Sequence, residues 1–157
     1  LPSGNKVAII TSSGGSGILA LDACEELGMN APDLPVELSE RLKEKLPPEC
    51  ILRNPLDLTG SATSQMYDEA LTALGETNAF DAFITIIGDP MPGISDVIFK
   101  HVSKGKTIVT VMLGGGKAEA EEKTKLACYG IPVYSDPVRG AKALAACVIR
   151  AVKIFRG

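Results

Sequence analysis

The stretch Lys6-Val7-Ala8-Ile9-Ile10-Thr11-Ser12-Ser13-Gly14-Gly15-Ser16-Gly17-Ile18, continuing through Leu21, Ala23, Cys24 and Leu27 to Gly28, decides the fold. Val7 to Ile10 is an unbroken apolar run of β-branched and small residues, which suits a strand buried on both faces, as in a parallel sheet. From Ile18 to Leu27 the apolar residues return every three or four positions, the spacing of a helix, and Gly28 stands where a helix C-terminal glycine belongs. Between them lies a loop of small residues, Thr11 to Gly17. Strand, glycine-rich turn and helix together predict a βα unit. Glycines at such a turn let backbone N–H groups converge, and the helix opening at Ser16 adds unpaired donors and the positive end of its dipole. The expected guest is an anion.

Outward from this unit, the same alternation repeats. Met29 to Leu34 is expected as a short second strand, confined to a sheet edge by Pro32 and Pro35. Ser39 offers an N-cap to a brief helix over Arg41 to Leu46, stopped by Pro47-Pro48. A polar, turn-prone segment follows, Arg53-Asn54-Pro55-Leu56-Asp57-Leu58-Thr59-Gly60, whose Asn54, Asp57 and Thr59 side chains can bond backbone N–H groups or a ligand. The spacing then predicts helices over Ser64 to Leu74, Ile94 to Val102, Ala118 to Tyr129 and Pro137 to Phe155, the last with Asp136 as N-cap. Strands are expected over Phe80 to Ile87, Thr107 to Met112 and Ile131 to Tyr134. Five βα units imply a flavodoxin-like, doubly wound parallel sheet in the order 2-1-3-4-5, in three layers with helices on both faces. Residues 1–5 read as a linker and 6–157 as the domain.

Ligands of open α/β sheets collect at the carboxyl ends of the strands. There the sequence places three loops: Ser12 to Gly17, Gly88 to Gly93, and Gly114 to Lys117. Candidate phosphate contacts are Ser13, Gly14, Gly15, Ser16 and Gly17, with Asn54, Asp57, Gly88, Gly114 and Gly115 as secondary candidates. None of the loops carries the acid, base or nucleophile set that chemistry of its own would need. Gly15, Gly17 and Ala20 also match G-x-G-x-x-A, a loose form of the dinucleotide fingerprint, with Asp33 in the place of its acidic residue. No Gly-Lys-Ser/Thr follows the turn, so a Walker A loop is excluded.

With 157 residues, 45% hydrophobic content and a net charge of −3, the chain is large enough for a full core and lacks the basic face of a nucleic-acid binder. No apolar run approaches the ~20 residues that cross a bilayer, so no membrane partner is expected and the cytoplasm is the default compartment. Cys24, Cys50, Cys128 and Cys147 show no C-x-x-C spacing. Three of them, at 24, 128 and 147, fall in apolar helical patterns, so they are expected as small buried residues rather than metal ligands. The single histidine, His101, is expected on a helix surface. A start of Leu-Pro-Ser-Gly, without methionine, is expected of a piece of something longer.

Several of these stretches together resemble one family: Lys6 through Thr11-Ser12-Ser13-Gly14-Gly15-Ser16-Gly17 to Ala23, Leu46-Pro47-Pro48, and Arg53-Asn54-Pro55-Leu56-Asp57-Leu58. Gly60-Ser61-Ala62-Thr63 with Tyr67, and Gly130-Ile131-Pro132-Val133, extend the likeness over the whole chain. It is to the last flavodoxin-like domain of the large or alpha part of NDP-forming acyl-CoA synthetases, the ADP-forming acetate–CoA ligases related to succinyl-CoA synthetase. The resemblance implies interconversion of acyl-CoA, ADP and phosphate with acid, CoA and ATP, by way of an acyl phosphate and a phosphohistidine. It implies that Ser13, Gly14, Gly15, Ser16 and Gly17 cradle the phosphoryl group. It also implies that the phosphorylated histidine lies on a preceding domain, since Lys100-His101-Val102 does not match its His-Thr-Gly setting. No cofactor is expected in this chain; CoA, ADP or ATP, phosphate and Mg belong to the complete enzyme. Its partners would be the CoA-binding and phosphohistidine-bearing domains of the same polypeptide and an ATP-grasp domain or subunit, in an oligomer. Two readings stay open beside it: a non-catalytic domain sensing CoA or nucleotide in a fused protein acyltransferase, and a dinucleotide-binding domain.

Overall fold

The computed structural model describes residues 1–156. Five parallel strands form one sheet in the order β2-β1-β3-β4-β5, as the alternation of the sequence predicts. They are β1 (Val7–Thr11), β2 (Leu56–Asp57), β3 (Ala82–Ile87), β4 (Ile108–Met112) and β5 (Val133–Tyr134). The helices are α1 (Gly14–Glu26), α2 (Val36–Lys43), α3 (Ser64–Gly75), α4 (Ile94–Ser103), α5 (Lys117–Cys128) and α6 (Pro137–Arg156).

Side chains alternate across a strand, and here both faces are covered. Val7 and Ile9 of β1, with Ala82, Ile84 and Ile86 of β3, pack under α1 and α6 through Ala20, Cys24, Ala141 and Leu144. Ala8, Ile10 and Phe83 face the opposite side, against Leu38 and Leu42 of α2, Tyr67, Leu71 and Leu74 of α3, and Ile94 and Ile98 of α4. Tyr67 is fully buried and its hydroxyl donates to the Ile86 carbonyl, tying α3 to the end of β3. Burial pushes that phenol above its usual range.

The second strand is not where the sequence places it. Of Met29 to Leu34, Asn30 alone forms a bridge, a single parallel one to Lys6 just before β1. The prolines on either side stop it from going further. β2 comes instead from the Asn-Pro-Leu-Asp segment, with Leu56 opposite Ile10 and Asp57 opposite Thr11. The gap between these two short pieces is filled by the side chain of Asn54. Its Oδ1 accepts from the Ile9 N–H at 2.9 Å, and its Nδ2 donates to the carbonyls of Val7 at 2.8 Å and Pro32 at 2.9 Å. The amide thus stands in for a residue of strand backbone along the edge of β1.

Three other expectations shift. α2 begins at Val36, directly after Pro35, so Ser39 is an interior helix residue and not its cap. Cys128 is exposed and Cys147 partly so, while Cys24 and Cys50 are buried. His101 is not on the surface: only 3% of it is accessible. Its Nε2 lies 2.7 Å from Asp68 Oδ1, and burial lowers its pKa against the pull of that carboxylate.

Candidate phosphate site

The register of β1 with β3 and β4 brings three loops to one edge of the sheet. Ser12 N–H donates to the Ile86 carbonyl at 3.1 Å, and the Gly88 N–H to Ser12 Oγ at 2.9 Å. A Cβ on Gly88 would stand 3.3 Å from that of Ser13, and one on Gly114 3.3 Å from the Gly88 carbonyl oxygen. Gly88 and Gly114 are therefore packing glycines that let the loops close on one another. Gly115 is exposed with nothing near it.

α1 starts earlier than the apolar spacing implies. Gly14, Gly15 and Ser16 form its first turn, with Ser13 as an N-cap in extended conformation, and none of the three glycines at 14, 15 and 17 has a positive φ. Thr11 sets the entry: its Oγ1 accepts from the Ser13 N–H at 2.9 Å and donates to the Ser13 carbonyl at 2.8 Å. Ser13 Oγ then donates to Ser16 Oγ at 3.1 Å and caps no backbone group. Among the described residues the N–H groups of Gly14, Gly15 and Ser16 find no acceptor, and the first turn holds no acid. Three of the other helices, α3, α4 and α6, fill this position internally, while α2 and α5 have no side-chain cap but carry an acid, Glu37 and Glu119, in the first turn. Thr63 Oγ1 takes the Met66 N–H of α3 at 3.3 Å, Glu122 takes Ser95 of α4, and Asp136 takes the Arg139 N–H of α6 at 2.8 Å. Three free donors at the positive end of a helix 13 residues long suit an anion.

The predicted residues separate by role. Ser13, Gly14, Gly15 and Ser16 converge at this opening. Gly17 does not join them: it is buried, its N–H donates to the Ser13 carbonyl at 3.0 Å, and a Cβ there would lie 2.9 Å from Thr11 Cγ2 and 3.2 Å from Pro55 Cβ. Gly17 is needed for α1 to lie close on the sheet. Asn54 is likewise absorbed by the edge of β1. Asp57 does reach the opening, because its pairing opposite Thr11 puts it at the end of β1. A Cβ on Gly14 would stand 2.6 Å from Asp57 Oδ2. Asp33 accepts from the N–H groups of Leu34 at 2.8 Å and Asn54 at 3.0 Å, so it holds a turn and not a ribose.

A pair of buried acids was missed by the sequence reading. Glu119 and Glu122 lie on the inner side of α5 beside Leu126. Glu122 Oε2 accepts from the Ser95 N–H at 2.9 Å and the Ser95 hydroxyl at 2.6 Å, and Oε1 pairs with Lys125 at 3.0 Å. Burial alone would raise its pKa, but these donors carry it down to about 2. Glu119 pairs with Lys123 and packs against Gly114. Acids spaced three apart and in phase with an apolar residue were the available signal, but nothing in the sequence says that the partner lies on another helix. Among the described residues no group of three or more His, Cys, Asp or Glu is placed to hold a metal ion, and no helix is long and apolar enough to cross a membrane.

Comparison with known proteins agrees on one family. The Ligase-CoA domain family matches residues 7–139. Acetate–CoA ligase [ADP-forming] I of Archaeoglobus fulgidus is 34% identical over 138 residues, covering 88% of this chain and 20% of that protein. The alpha subunit of acetate–CoA ligase [ADP-forming] I from Pyrococcus furiosus is 36% identical over 152 residues, 92% of this chain and 32% of the subunit. Among solved structures, a Pyrococcus horikoshii OT3 protein superposes with a TM-score of 0.87 at 30% identity, covering 98% of this chain and 37% of its own. Acetyl-coenzyme A synthetase 1 of Ca. Korarchaeum cryptofilum, solved with phosphate and ADP, superposes with a TM-score of 0.83 at 25% identity over 96% of this chain and 34% of that one. The chain thus spans a fifth to about a third of the length of these relatives.

Proposed function

The chain belongs to the Ligase-CoA domain family, and from that premise we propose that it is the phosphate-site domain of an ADP-forming acyl-CoA synthetase. In the complete enzyme, acyl-CoA and phosphate give an acyl phosphate, a histidine of another domain takes the phosphoryl group, and an ATP-grasp domain or subunit passes it to ADP. This chain supplies the N–H groups of Gly14, Gly15 and Ser16, with the hydroxyls of Ser13 and Ser16, to the charge on that group. The observation that carries the reading is that open first turn of α1, which has neither the side-chain acceptor found in α3, α4 and α6 nor the first-turn acid of α2 and α5. A helix terminus contributes on the order of 0.3–1 kcal/mol to an exposed anion and up to about 2 when partly buried. CoA, ADP and Mg are assigned to the other parts of the enzyme, whose compartment is the cytoplasm.

Gly15 provides the test, because a Cβ there meets nothing within 4 Å. In the full-length enzyme Gly15→Val should leave the melting temperature within a few degrees yet abolish phosphohistidine formation, since the side chain projects where the anion sits. Gly17→Ala should do the reverse, lowering stability through its contacts with Thr11 and Pro55. A folded Gly15→Val enzyme that phosphorylates its histidine at the normal rate would rule the cradle out.

A further inference from the structure

Resting on that reading, we propose that Asp57 makes the α1 site selective for an oxyanion that carries a proton, such as hydrogen phosphate or a protonated phosphoryl group, over a fully ionised one such as sulfate. A groove of about 440 Å³ runs from the opening of α1 along its flank, lined by Thr11, Gly14, Ile18, Arg53, Pro55 and Asp57 among others. Two of its features attract an anion. One is the opening of α1 at Gly14, where the first-turn N–H groups are unbonded; the other is Arg53, which forms no ion pair among the described residues.

The third feature is of opposite sign. Asp57 Oδ1 accepts from the Thr59 N–H at 2.8 Å, which fixes the carboxylate, while Oδ2 points at Gly14 and receives no hydrogen bond among the described residues. A carboxylate can only accept hydrogen bonds. Placed beside an anion site, it is satisfied by one kind of guest, an anion that brings its own O–H. Hydrogen phosphate has that proton at neutral pH, and sulfate does not. Against sulfate the two negative groups repel in a partly enclosed groove. Sites built around a substrate hydroxyl reject analogues lacking it by as much as 10⁴–10⁵, and because Asp57 is only partly buried the expected ratio here is on the order of 10². Gly14 fits the same picture, since any side chain there would displace Oδ2 from the opening.

Equilibrium dialysis of the complete enzyme against radiolabelled phosphate or sulfate, in EDTA at neutral pH, reads the ratio directly. Wild type should bind phosphate about 10²-fold more tightly than sulfate. Asp57→Asn keeps the acceptor for Thr59 and supplies a donor to the groove, so its ratio should fall below about 10, mainly by gain of sulfate. Asp57→Ser, which also removes the charge, should move in the same direction. Equal ratios in wild type and both variants, or a wild-type ratio near one, would overturn the assignment of Asp57. Gly15→Val separates the two readings: it should remove the phosphate binding altogether if α1 is the site, and binding that persists there sinks the cradle whatever Asp57 does.

Discussion

At the scale of single residues, Asn54 shows how a side chain that reads as a ligand contact can be structural. Its amide completes three hydrogen bonds to β1 and Pro32, at 2.8–2.9 Å, in a partly buried setting. Each such bond is worth about 1 kcal/mol net, and removing one partner leaves backbone groups of β1 unsatisfied. Asn54→Ala is therefore expected to cost about 2–3 kcal/mol, a fall in melting temperature of roughly 5–10 °C for a domain of this size. Calorimetry of the variant checks it; an unchanged melting temperature would return Asn54 to the list of ligand contacts. The sequence could show that Asn54, Asp57 and Thr59 were rich in hydrogen-bonding capacity, and it did place the segment among the distinctive ones. It could not show the direction of each side chain, because that depends on which strand lies beside the segment. The same limit hid the division among glycines. Gly14, Gly15 and Gly17 are alike in the sequence, yet one abuts a carboxylate, one faces open space and one is buried against Pro55.

At the scale of elements, boundaries followed local chemistry. Helix and strand identities were legible wherever apolar periodicity was long, as in α3, α4, α6, β3 and β4, and Gly28 and Gly130 close their helices with φ of 77° and 72° as glycine allows. The start of α1 was not legible, since small residues carry no periodicity and a helix turn of Gly-Gly-Ser-Gly looks like loop. Nor was β2, whose two residues are too few for any pattern. The clamp between α4 and α5 was equally hidden, and it has a measurable consequence. Glu122 has its pKa depressed to about 2 in the fold against 4.5 ordinarily, so its stabilising contribution is complete above pH 4.5 and is lost as pH falls from there towards 2. The full linkage amounts to about 3 kcal/mol. Glu122→Gln should thus be less stable than wild type at pH 7 by up to that amount, with the difference shrinking steadily between pH 4.5 and 2. Urea midpoints at pH 7, 4 and 2.5 follow it, and a difference that stays constant with pH would assign the acid limb to other groups.

At the scale of the molecule, the two buried clusters argue that this length of chain is a folding unit. Each face of the sheet has its own continuous apolar layer, α1 and α6 on one side and α2 to α5 on the other. Every strand but the short β2 and β5 is sealed on both faces, which is what cooperative unfolding requires. The order 2-1-3-4-5 was readable because right-handed crossovers leave few alternatives once the βα alternation is known. Function at this scale is another matter, for the phosphoryl transfer proposed for the complete enzyme needs a nucleophile, and the chain has one histidine. That histidine is enclosed near the C-terminal end of α4 with Asp68 against its ring, and burial lowers its pKa against the pull of that carboxylate. The domain should therefore melt in a single cooperative transition when produced alone, and mixed with acetyl-CoA, ADP and phosphate it should form neither ATP nor a phosphorylated residue. Adding the remaining parts of the enzyme in trans should restore phosphohistidine on them and not on His101. Turnover by the isolated 157-residue chain, or a phosphoryl group on His101, would show that the open end of α1 is not waiting for a nucleophile from elsewhere.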